Sequence, residues 1–115
     1  MSTYSKEFLT GGAGDGTPIV VAATDIASSP TTIHTVPASV VDEVTLYAHN
    51  SASAAVDLQI GWGETADPII QSIPAKSGLT LLVPGDLCLD AGLVVVAAAD
   101  TADVITIFGA VRRLT

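Results

Sequence analysis

Few side chains in this sequence are able to carry chemistry. His34 and His49 are the two histidines, and Cys88 is the one cysteine. Nucleophilic catalysis needs a nucleophile, a base and a group that orients the base. The histidines are of the right base type, because an ordinary imidazole titrates close to neutrality. No Gly-x-Ser-x-Gly elbow accompanies them. Cys88 lies in Leu87-Cys88-Leu89 and reads as a small, inert core residue. No catalytic residue is assigned, and an enzyme is not expected.

Metal chemistry fares no better. Zinc wants three or four Cys, His or acidic ligands. His34 and His49 fall on different strand segments, and each reads as a half-exposed residue donating to a neighbour. Calcium wants six or more oxygens. Asp86 and Asp90, like Asp100 and Asp103, sit at loops without an Asp-x-Asp-x-Asp-Gly pattern, so they read as turn-capping aspartates. The run Gly11-Gly12-Ala13-Gly14-Asp15-Gly16 is not a phosphate cradle, because Thr17 stands where the last glycine of Gly-x-Gly-x-x-Gly would fall when counted from Gly12, and no helix follows. No metal and no cofactor are expected.

The candidates for contact with a protein partner are Tyr4, Phe8, Leu9, Trp62, Arg112 and Arg113. The first three form an apolar tip before the glycine-rich run. Trp62 is flanked by Gly61 and Gly63, which leave its indole open to a ligand, another subunit or its own core. With aromatics at 4%, a core or interface role outweighs a carbohydrate platform. Arg112 and Arg113 supply half of the four positive charges. They read either as ties to a neighbour's carboxylates or as a solvated end.

The elements that must position these residues read as short strands. Val44-Thr45-Leu46-Tyr47-Ala48-His49 alternates with period two, and so does Val56-Asp57-Leu58-Gln59-Ile60. Further candidates are 18–24, 31–36, 69–73, 79–83, 87–89 and 104–111. The small-apolar run 93–99 suits a strand buried on both faces. Helix is disfavoured, since 10 glycines and 6 prolines interrupt nearly every window. About eight strands at this spacing predict an all-β fold, an antiparallel sandwich or jelly roll over residues 18–115. Residues 1–17 read as an extended arm on a glycine hinge.

Composition bounds the rest. The chain has 115 residues, fitting one domain, and is 49% hydrophobic but 14% charged. Its mean hydropathy of +0.56 looks membrane-like. Its longest apolar run, Leu93 to Ala99, falls well short of the ~20 residues of a spanning helix. Neither a membrane segment nor a signal peptide is expected. A net charge of -8 disfavours nucleic acid. A small chain so poor in charge exposes apolar area as a monomer, so burial against copies of itself or another protein is expected.

The stretches His34-Thr35-Val36-Pro37, Asp42 to Asn50, Ile60-Gly61-Trp62-Gly63, Ile73 to Leu79, Val83-Pro84-Gly85, Gly92 to Val95 and Ile105 to Gly109 resemble small β-sandwich structural proteins of tailed bacteriophages. The nearest functional class is the capsid decoration, or cement, protein; head-fibre, head–tail and tail-surface components look similar. The resemblance covers residues 30 to 113. It implies a homotrimer on the outer surface of a virion, clamping major capsid protein subunits, with an N-terminal arm reaching across the shell. A glycan-binding sandwich leaning on Trp62 is the alternative.

Overall fold

The computed structural model describes residues 3–76 and 78–115. Among them are nine strands and no helix: β1 (Tyr4–Glu7), β2 (Ile19–Val20), β3 (Thr31–Thr35), β4 (Val41–Asn50), β5 (Val56–Trp62), β6 (Ile69–Ile73), β7 (Thr80–Leu89), β8 (Val94–Ala99) and β9 (Ile105–Leu114). They form two packed antiparallel sheets, so the fold is an all-β sandwich. One sheet runs β1-β9-β4-β7, with β2 also on β9; the other runs β3-β8-β5-β6.

Period-two alternation builds the centre. In β4 every second residue from Asp42 to Asn50 is buried, and in β5 Val56, Leu58 and Ile60 turn inward. These meet Ile105, Ile107 and Val111 of β9 and Val83 of β7 in one core. Of the 93–99 run, Val94–Ala99 become β8, covered on both faces, while Leu93 stays outside the strand and exposed. Val95, Ala97 and Ala99 join the main core, while Val96 and Ala98 are covered from outside by Ile26. Small side chains let the 21–30 loop pack close, and Ala99 N–H donates to the carbonyl of Ala23 at 3.0 Å.

Two expected strands, 79–83 and 87–89, are one strand here. β7 continues through Pro84 and Gly85 because it is an edge strand, where a missing N–H costs no ladder bond. The register against β4 shifts on either side of this point, and Gly85 takes φ +95°.

The expected arm lies on the domain. Tyr4 to Glu7 pair with Leu114 to Val111. The chain then leaves that edge, and Gly11 N–H donates to Ile33 O at 2.9 Å on β3. It returns as β2 beside Ile107 and Thr106. The excursion thus bridges the two sheets on one flank. Gly12, Gly14 and Gly16 all have positive φ, so the glycine run supplies turns that other residues rarely adopt. On the opposite flank β6 and β7 are the free edges.

Candidate functional site

The most demanding polar cluster is buried. Asp42 sits at inward parity on β4, with a fully buried side chain. Its carboxylate accepts from Arg113 Nε at 2.8 Å and from the Arg113 Nη2 at 3.1 Å. His34 lies 2.6 Å away through Nε2, also fully buried. Thr10 N–H donates to His34 Nδ1 at 3.1 Å. That bond fixes the tautomer: Nδ1 is the acceptor, so Nε2 carries the proton and donates to Asp42. Thr10 Oγ1 in turn accepts from Thr35 N–H at 2.7 Å. Burial pushes the Asp42 carboxyl up, but the hydrogen bonds from Arg113 and His34 and the charge of Arg113 outweigh it and hold the group below its ordinary range. The same bond to Asp42 raises Arg113.

This geometry resembles an Asp–His dyad, but it cannot act as a base. The Nδ1 lone pair is already engaged, and neither ring nitrogen reaches solvent. Its effect is to tie the N-terminal excursion, β3, β4 and β9 together.

Several expectations are therefore corrected. His34 is not half-exposed, because its strand position faces Asp42 rather than water. Arg113 is not open to a neighbour: its side chain is 16% exposed and is held by Asp42, with Glu7 at 3.6 Å. Leu9 does not stand at an exposed tip. It is 5% exposed, because the excursion drops it between the sheets. Cys88 is not a core residue; it is exposed on β7 opposite Glu43. His49 stands on β4 of the other sheet, seven positions beyond the Asp42 that holds His34, and meets Gly78 O at 3.2 Å. Among the described residues, no three His, Cys, Asp or Glu side chains gather. Of the aspartates expected at turns, Asp90 accepts from Ala91 N–H at 2.8 Å, whereas Asp86 lies within β7 and not at a loop, because that strand runs on through Pro84 and Gly85. Asp15 and Asp25 cap two further turns, accepting from Thr17 and Ala27.

Asp42 was missed in the sequence reading, although a signal for it exists. It shares inward parity with Val44, Leu46 and Ala48, and a carboxylate there requires a buried cation. Arg113 shares parity with Val111 and Ile107 on the facing strand.

The second candidate is a surface. On the outer side of the β1-β9-β4-β7 sheet, Lys6, Arg112 and Glu43 form one cross-strand row. Ala110 and Thr45 form the next, and Phe108 with Tyr47 the one after. Phe8 lies beside Ala110 and lines an open groove of about 510 Å³ with Lys6, Gly16 and Gly109. Tyr4 lies under Arg112, whose guanidinium carbon is 3.9 Å from the ring centroid. Tyr4, Phe8, Tyr47 and Phe108 are four of the chain's five aromatic residues. Tyr4 and Phe8 are 51% and 60% exposed. The fifth, Trp62, is partly buried and packs against the core.

No family model, no curated protein and no solved structure matches the chain.

Proposed function

We propose that the chain is a structural virion protein of a tailed bacteriophage, a capsid decoration subunit that binds the outer surface of the major capsid protein shell. The observation that carries this reading is the outer face of the β1-β9-β4-β7 sheet. It gathers four aromatic side chains on a molecule that otherwise has very few. It also holds Lys6 and Arg112, two of four cations on a strongly acidic chain. Aromatic and arginine side chains are what protein interfaces enrich. The resemblance in residues 30 to 113 supports the shell as partner.

The mechanism is multivalent clamping. Each face makes modest contacts, and copies engaging several shell subunits at once hold neighbouring capsomers together. Binding the expanded lattice more tightly than the precursor shifts the shell toward the expanded state by that difference in affinity. The bridging excursion helps, since Phe8 is presented by a segment already ordered on the domain and loses little freedom on binding.

The glycan-binding alternative leans on Trp62, whose indole is engaged by the core. The two readings separate in one experiment. Purified expanded shells of the encoding phage are mixed with the wild-type chain and with the Phe8→Asp and Lys6→Glu variants, then sedimented. The expected result is saturable binding by wild type and at least ~tenfold weaker binding by Phe8→Asp. No binding of wild type to shells, or equal binding by the variants, overturns the proposal.

A further inference from the structure

The segment between β1 and β2, residues 8–18, crosses from one sheet to the edge of the other and is held on β3 by three hydrogen bonds. Gly11 N–H donates to Ile33 O at 2.9 Å. Thr35 N–H donates to Thr10 Oγ1 at 2.7 Å. Thr10 N–H donates to His34 Nδ1 at 3.1 Å. The first two join groups that do not titrate. The third needs an imidazole whose Nδ1 is bare. A proton on Nδ1 sets one N–H against another, so the closed crossing and the imidazolium exclude each other.

The charges around the ring favour that proton. β4 presents Asp42, 2.6 Å from Nε2. β9 presents Arg113, which bonds Asp42 and lies 3.6 Å from Glu7 of β1. β8 meets His34 through the apolar Val95. With a neutral ring, two carboxylates surround one guanidinium; with an imidazolium the two signs balance.

We infer that His34 is a proton-sensitive latch: uptake of a proton at Nδ1 lifts the 8–18 crossing off β3 while the sandwich stays folded. The open form binds one proton more than the closed form. Closure is therefore favoured at neutral pH and is lost as pH falls through the range in which an imidazole titrates. The glycine run supplies the hinge, with Gly12, Gly14 and Gly16 at positive φ. Phe8 and Leu9 directly precede Thr10, so opening withdraws Leu9 from between the sheets and moves Phe8 off the outer face. The latch belongs to the single chain and stands whether or not the chain decorates a shell.

Amide hydrogen exchange on the full chain tests it, because the crossing protects the N–H groups of Thr10, Gly11 and Thr35. Protection factors, corrected for the intrinsic effect of pH on exchange, are measured from about pH 7 to about pH 5.5, above the ordinary carboxylate range. Protection of these three amides is expected to fall with a slope approaching ~tenfold per pH unit, that of one proton. Amides of β5 and β8 are expected to hold theirs. His34→Gln, which cannot titrate, is expected to flatten the slope. His49→Gln removes the other imidazole, on the outer face of β4, and is expected to keep it; with two histidines in the chain, a slope that survives there belongs to His34. Protection independent of pH in the wild type overturns the inference. So does a loss shared equally by β5 and β8, an equal slope in His34→Gln, or a slope that vanishes in His49→Gln.

Discussion

Asp42 keeps its charge in the core because two partners hold it. Arg113 grips the carboxylate through two nitrogens and His34 through one. Removing one member leaves a buried charge uncompensated. Asp42→Asn is expected to lower unfolding free energy by about 3–5 kcal/mol in urea denaturation. The pH dependence has a definite sign. The Asp42 carboxyl is held below its ordinary value of 3.8, so the native state binds fewer protons than the unfolded chain. Its contribution is full above that value and drains as pH falls through the lowered native one. Thermal melts from pH 7 to pH 2 check this: the wild type loses stability on the acid limb, and Asp42→Asn loses less. The sequence concealed this cluster because Asp42 and Arg113 lie 71 positions apart. Parity along each strand hinted at their burial, but their pairing is a fact of the β4–β9 register.

Legibility at the element scale followed burial. β4, β5 and β8 were readable because each is covered on a face, which imposes a period of two or an unbroken small-apolar run. β1 was not readable. Tyr4-Ser5-Lys6-Glu7 shows no apolar alternation, and its pairing with β9 is imposed by tertiary contact. The neighbours Phe8 and Leu9 looked alike in sequence, and the fold sends them opposite ways. Leu9→Ala is expected to cost about 2–5 kcal/mol, as core truncations do. Phe8→Ala, at an exposed site, is expected to stay within about 0.5 kcal/mol. Chemical denaturation of the two variants separates them. Gly109 is the tightest point of β9, since an added Cβ would lie 2.1 Å from Thr45 O on β4. Gly109→Ala is expected to cost about 3 kcal/mol or more by forcing β4 and β9 apart. Loss of amide protection along Val44–Ala48 in hydrogen exchange would show it.

The composition acquires a layout at the scale of the whole molecule. Small apolar residues fill the centre and the doubly covered β8, while the exposed apolar remainder is not scattered. Part of it forms the aromatic face with Lys6 and Arg112, and part lines the β6–β7 flank. The proposed decoration role rests on the first of these surfaces, through which several copies would engage a shell at once. The fold class was legible because strand periodicity and turn residues recur along the whole chain. The surfaces were legible only in part. Tyr4, Phe8 and Arg112 were singled out, whereas Tyr47, Phe108 and the β6 edge depend on which strands become neighbours. The most direct measurement of the central claim is an electron-microscopic reconstruction of expanded shells incubated with the purified chain. The account predicts added density on the outer surface, with the face bearing Tyr4, Phe8, Tyr47 and Phe108 turned toward the major capsid protein. Shells without added density, or density with that face turned to solvent, would contradict it.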